Sequence, residues 1–321
     1  MEIGSFIELQ FPSGKEYYPQ SRDIARLNTG RAAIWHAFRV LGCKTIWLPH
    51  YQCDGVREFL SRKNVIIQYY HIDNQFNPID LHQEEDEAVL FVNYYGVMSM
   101  DRMKKLAGGR TNVIVDNSQA LFSKPLDNCM NVYSCRKFVG VPDGSYVIGK
   151  DAHKYVNEYP QCYSSDTALF MLQRIEYGCE GKAYESRQIN EHRIDTDDCM
   201  KMSKLTRKIL DGTDYTFIAE RRKSNFLTAR KLFDSINCID AARYYDSSCV
   251  PMVYPLVVED DKLLERLQKA KHFQGHWWSY LLNEMKEEDF EYWISRYMIP
   301  ITIDQRYEEK ELLSIERCVK G

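Results

Sequence analysis

The chain has 321 residues, 44% of them hydrophobic and 27% charged, with a formal net charge of −4. That length can bury a large core, in one large domain or a large domain with a smaller one attached, and no basic excess calls for a nucleic-acid or membrane-surface partner. Ten cysteines occur with no CxxC pair and no zinc-type Cys/His spacing, no apolar stretch is long enough to span a bilayer, and the start MEIGSFIELQFPSGKEYY lacks a signal peptide's basic head and apolar run, so a reduced, cytoplasmic chain with free thiols is expected.

The first strong element is GRAAIWHAFRVLG (30–42), apolar at helical spacing and closed by a glycine. Short runs rich in β-branched and aromatic residues follow: TIWLPHY (45–51), NVIIQYYHI (64–72), AVLFVNYYG (88–96), NVIVDNSQ (112–119), NVYSC (131–135) and GSYVIG (144–149). Polar or helical stretches such as DGVREFLSRKN and SMDRMKKLAGG separate them. Near-continuous apolar strands alternating with helices predict an α/β fold with a mostly parallel central sheet covered on both faces. Residues 150–235 read as charged and mostly helical, including MSKLTRKILDG and FIAERRKSNFLTARKLFDSI. The composition then changes. PMVYPLVVED (251–260) reads as a strand, DDKLLERLQKAKHF as a helix, and YMIPITIDQRY (297–307) as a strand and turn before a last helix. This predicts a large domain over 1–235 and a smaller C-terminal α+β domain over 236–321.

Parallel α/β sheets place ligands at the carboxyl ends of their strands, and three such places carry suggestive groups. Asn28-Thr29-Gly30-Arg31 precedes the 30–42 helix, where unpaired N–H groups and the helix dipole favour an anion; an ordinary N-cap at Asn28 or Thr29 explains the same residues. Asp116 ends the apolar run VIV, with Gln119 three residues on. A carboxylate there must be paired or hydrogen-bonded, and capping of the next turn is an equal reading. Third, SCRKFVGVPDGSYVIG places Lys137 between a short strand and a Gly/Pro turn; a lysine there is more often a surface residue, but one desolvated beside a pocket becomes a nucleophilic amine.

In this order the three resemble the motifs of the DegT/DnrJ/StrS family of pyridoxal phosphate (PLP)-dependent aminotransferases. That family has a phosphate-binding turn at its first core helix, an Asp-x-x-Gln or Asp-x-x-His after a strand, and a Schiff-base lysine before a glycine-containing turn. LPHYQC (48–53), VNYYG (92–96), RRKSNF (221–226) and PITIDQRY (300–307) extend the similarity over most of the chain. The resemblance implies PLP-dependent fold type I and an amino-group transfer from an amino acid to a keto-sugar or related carbonyl compound. It implies that Lys137 forms the Schiff base, Asp116 pairs with the pyridine nitrogen, and Gln119 bonds the ring's 3-oxygen. Thr29, Gly30, Arg31 and Ser134 would hold the phosphate. The family's usual ring-stacking aromatic falls at Cys53 here, which makes Tyr51 the expected aromatic neighbour of the ring. Asp-Gly-Ser at 143–145 replaces the commoner Asp-Gly-Gly, and Ser134 lies three residues before the lysine where the family has a hydroxyl five before.

A homodimer is also implied, each site being completed from the partner subunit, with ALFMLQRIEYG (168–178) as an interface segment and Asn190 and Arg193 as groups reaching across. ALFMLQRIEYG packing on its own sheet is the competing expectation. Other readings are a different PLP reaction such as elimination, using the same Lys137 and Asp116, and a non-catalytic binding protein that keeps the fold. A generic dinucleotide- or P-loop-type protein is disfavoured, because no GxGxxG or GxxxxGK[ST] follows a strand.

Overall fold

A computed structural model describes residues 3–18, 21 and 23–321. In chain order the first half forms β1 (Ile24–Leu27), α1 (Gly30–Leu41), β2 (Thr45–Pro49), α2 (Asp54–Arg62), β3 (Ile66–Ile72), β4 (Pro78–Ile79), β5 (Ala88–Val92), α3 (Met100–Ala107), β6 (Val113–Asn117), β7 (Met130–Ser134) and β8 (Ser145–Ile148). These strands make one eight-stranded sheet in the order β1-β8-β7-β6-β5-β2-β3-β4. The centre, β7-β6-β5-β2-β3, is parallel, and antiparallel neighbours lie at both edges. Every residue of β5, β6 and β7 is buried, as the runs AVLFV and VIV require of strands covered on both faces. Their neighbours in the ladder set the register: Val92 lies beside Asp116, and Asp116 beside Val132.

Helix α1 crosses the backs of β6, β7 and β8, burying Ala32, Ala33, Ile34, Ala37 and Phe38. The Thr29 hydroxyl caps it by accepting from Ala32 N at 3.2 Å, and Gly42 ends it in the left-handed conformation at φ 75°.

The second half adds α4 (Leu169–Tyr177), α5 (Lys182–Thr196), α6 (Lys204–Asp211), α7 (Tyr215–Phe233), β9 (Val253–Val257), α8 (Leu263–Lys269), α9 (Leu281–Glu284), α10 (Phe290–Tyr297), β10 (Met298–Thr302) and α11 (Glu309–Lys320). β9 and β10 pair antiparallel in a sheet of their own. Phe226 and Phe233 of α7, Leu312 and Ile315 of α11 and the strand residues Leu256 and Ile301 join the same hydrophobic core as the large sheet. A second cluster, with Tyr133, Phe138, Val141, Tyr146, Met202, Leu210 and Ile218, lies around the turn that carries Lys137.

Two features differ from the sequence expectation. β1 is a four-residue edge strand, too short for a periodic signal, and exists through pairing with β8. ALFMLQRIEYG does not pack on its own sheet: α4 buries none of its residues and pairs with α5 as a helical hairpin.

Candidate active site

The carboxyl edge of the parallel strands brings the three motifs together. Asp116, buried near the end of β6, accepts from Ser118 N at 2.8 Å through Oδ1. Its Oδ2 accepts no hydrogen bond among the described residues. The turn-capping role and an available carboxylate oxygen are thus both present in one side chain. Gln119 is buried and its Oε1 accepts from Tyr95 N at 2.6 Å. Tyr95 is held in the left-handed region at φ 59°, so the side chain of Gln119 stabilises a strained turn at the end of β5. Gly96, next in that turn, has no room for a Cβ, which would lie 2.4 Å from the Gln119 carbonyl.

Gly30 opens α1 beside this turn. A Cβ on it would sit 3.3 Å from Ser118 Oγ and 3.8 Å from Ser134 Cβ. A helix N-terminus and two serines therefore bound one small cradle, kept open by the missing side chain. Ser118 is a residue that sequence reasoning passed over, although it lies inside the quoted DNSQ segment. Arg31 turns away from the cradle: its guanidinium packs on Gly55 and pairs with Asp195 at 2.8 Å.

Lys137 ends a single 3-10 turn, Cys135–Lys137, directly after β7. It is exposed and makes no ion pair among the described residues. The turn is fixed at several points. Cys135 N donates to Gly144 O at 3.0 Å, and Gly144 N to Asn28 O at 2.6 Å, which ties the lysine turn to the start of α1. Gly144 has φ 116°, and a Cβ there would come within 2.8 Å of Thr206 Cγ2. Ser145, the departure from Asp-Gly-Gly, donates its hydroxyl to Thr29 O at 2.9 Å. Asp143 is fully buried and accepts from Ser164, from Cys162 Sγ at 3.3 Å and from Ser203 N at 3.3 Å.

From beneath, Arg222 of α7 reaches the same turn. It donates to Met252 O at 2.8 Å, to Gln305 Oε1 at 3.1 Å and to Lys137 O at 3.4 Å. Its guanidinium carbon stands 4.5 Å from the centre of the Phe138 ring. Gln305 in turn donates to Phe138 O at 2.8 Å. Burial lowers the Arg222 pKa to about 10, opposed by the nearby Asp304 carboxylate. Both residues belong to segments quoted for their similarity, RRKSNF and PITIDQRY, but nothing local in the sequence signals that they meet Lys137.

Other expected residues have partners within the chain. Tyr51 is fully buried, with its hydroxyl 2.8 Å from that of Tyr95 and its ring edge-on to Trp278 at 4.4 Å. Burial raises the Cys53 thiol pKa, and the Lys137 and Arg31 charges oppose that rise. Asn190 and Arg193 do not reach outward. Asn190 is fully buried and donates to Pro142 O at 3.0 Å, while Arg193 bonds Asn190 Oδ1 at 3.1 Å and Asp197 at 3.3 Å. They brace their own chain's lysine turn.

No protein-family model and no curated protein matches this chain. Solved structures do. The sugar aminotransferase CalS13 from Micromonospora echinospora is 13% identical, with 93% of this chain and 87% of that one covered at a TM-score of 0.62. A DegT DnrJ EryC1 StrS aminotransferase from Brucella abortus is 11% identical over 93% and 85%, TM-score 0.60. The E. coli GDP-4-keto-6-deoxy-D-mannose-3-dehydratase with bound hydrated PLP is 14% identical over 92% and 87%, also 0.60. The chain has the fold of PLP-dependent enzymes of fold type I. In that fold the side chains here suit PLP. The Gly30 cradle has the donors an anion needs, Asp116 keeps an oxygen for a cationic ring nitrogen, and Lys137 is an accessible amine on a fixed turn.

Proposed function

We propose that the chain is a PLP-dependent aminotransferase, moving an amino group from an amino acid to a keto-sugar, probed first as its nucleotide-linked form, or to a related carbonyl compound. The observation that carries this is the convergence of Lys137, Asp116, Gln119 and the Gly30 cradle at one strand edge of a fold type I sheet. Bound PLP supplies the electron sink that no side chain offers. Lys137 Nζ would be the amine that holds the cofactor, and would take up and return the proton. Asp116 would keep the ring nitrogen protonated, because a carboxylate beside it favours the cationic form. Gln119 Nε2, on the amide whose Oε1 holds Tyr95 N, would donate to the ring's 3-oxygen. Gly30 and Arg31 N–H groups, with the Ser118 and Ser134 hydroxyls, would hold the phosphate, while Thr29 keeps the helix start capped.

The dehydratase among the similar structures favours elimination as a second reading. Product analysis separates the two: an amino-sugar that forms only with an amino-acid donor supports transfer, and loss of water without a donor supports elimination. A homodimer belongs to the same proposal. Leu172, Ile175 and Tyr177 of α4 and Ile189 of α5 are exposed on the hairpin, an apolar surface of the kind that marks an interface. The ten free cysteines accord with a reducing cytoplasm, and among the described residues no helix is long and apolar enough to cross a membrane.

Titration of the purified protein with PLP tests the assignment. A visible absorption band that borohydride abolishes is expected in the wild type and absent from Lys137→Ala, with circular dichroism unchanged. A reducible band persisting in Lys137→Ala overturns the choice of lysine.

A further inference from the structure

We propose that Arg222 and Gln305 are positioning residues for Lys137, and that through them the segment entering β9 and the loop leaving β10 set where the lysine amine stands. This rests on the reading of Lys137 as the cofactor lysine. Four observations carry it. The Lys137 and Phe138 carbonyls, in the two successive peptides that follow the lysine, are bonded by two side chains from distant parts of the chain, Arg222 Nη2 at 3.4 Å and Gln305 Nε2 at 2.8 Å. Those two side chains are bonded to each other at 3.1 Å. Arg222 is a cation with only 3% of its surface exposed. Burying it is costly unless its donors are satisfied, and they are satisfied by backbone carbonyls and one amide oxygen rather than by a direct ion pair. Such a residue imposes geometry, because a planar guanidinium fixes the directions of several acceptors at once.

The brace also spans the two sides of the site. Arg222 Nη1 holds Met252 O at 2.8 Å, and Met252 N donates to Tyr95 O at 2.8 Å. Tyr95 N is the donor held by Gln119. One continuous run of hydrogen bonds therefore links Gln119, Tyr95, Met252, Arg222 and Lys137. On the far side, Asp304 accepts from Arg306 Nε at 2.8 Å and Nη2 at 2.7 Å. That ion pair anchors the loop from which Gln305 extends. A shift of β9 and β10 relative to the large sheet moves the lysine carbonyl and the Gln119 turn together. An ångström of misplacement is enough to slow a positioned group by orders of magnitude.

The test uses the full chain loaded with PLP, with Gln305→Met, Arg222→Lys and Arg222→Met compared with wild type. Three quantities are read: the pH midpoint of the visible band, the rate at which a simple primary amine displaces Lys137 from it, and the thermal midpoint of unfolding. Gln305→Met is expected to fold with a near-normal thermal midpoint, yet to shift the pH midpoint and to change the displacement rate about tenfold. Arg222→Lys keeps the charge but loses the fan of donors, and is expected to shift the same two readings further. Arg222→Met is expected to lower the thermal midpoint as well. Folded Gln305→Met and Arg222→Lys proteins with wild-type pH midpoint and displacement rate would overturn the positioning role. A wild-type protein with no borohydride-sensitive band would instead overturn the Lys137 assignment beneath it.

Discussion

Asp116 does two jobs with one carboxylate: Oδ1 closes the turn onto Ser118 N, while the other oxygen stays available at the strand end. Substitution to Asn keeps the turn acceptor and removes the negative charge. Asp116→Asn is therefore expected to retain PLP in part while turnover falls roughly 10²–10⁴-fold, the range contributed by a positioned proton-handling group. Spectral titration and single-turnover rates on the same preparation check this, and near-wild-type turnover contradicts the role. The placement of Asp116, Gln119 and Lys137 at strand ends was legible because each sits in a short segment whose strand-then-turn pattern is local. The nearness of Ser118 to Gly30 was not legible, because the two are remote in sequence. The burial of Tyr51 was not legible for the same reason: the ring that closes over it is Trp278, from the far end of the chain.

At the scale of elements, the fully apolar runs of β5, β6 and β7 could be read directly, since a strand buried on both faces shows it in composition. Edge strands β1 and β4 could not, because pairing rather than pattern makes them. The end of β2 carries a further consequence. His50 stacks on Tyr69 with ring centres 5.0 Å apart and lies 4.5 Å from His71, whose Nδ1 is 3.3 Å from the buried Glu291 carboxylate. Burial first, then the His71 ring and Arg57, lower the His50 pKa to about 4, with Asp289 and Glu284 opposing. The unfolded imidazole titrates near 6.5. Between these values the unfolded chain binds the proton and the folded one does not, so stability is fully present above about pH 6.5 and is lost as pH falls toward 4. The thermal midpoint is expected to drop over that window, and His50→Gln to show a smaller drop. An identical pH profile in the variant contradicts the assignment.

Helix α7 shows how packing supports the site at a distance. Phe226 is fully buried, with Tyr245 and Tyr254 ring centres at 4.7 and 5.8 Å, one turn beyond Arg222. Phe226→Ala is expected to cost about 3–5 kcal/mol in denaturant unfolding. A loss below about 1 kcal/mol would mean that the α7 packing is not what holds the brace in place.

For the whole molecule, fold type I was legible from strand and helix alternation plus the motif order, whereas the outward surface was not. The exposed hairpin of α4 and α5 was visible only as an apolar segment with two possible destinations, and the structure removes the one on its own sheet. Light scattering of the PLP-loaded protein is expected to give the mass of two chains, and Ile175→Asp with Leu172→Asp to shift it toward one. A monomer with full activity contradicts the dimer. The most direct measurement of the central claim is chemical. Wild-type protein is incubated with PLP, reduced with borohydride, digested, and mapped by mass spectrometry for the phosphopyridoxyl group. The account predicts that the label lies on Lys137, in the segment SCRKFVG. A label on another lysine, or no stoichiometric label at all, would contradict it.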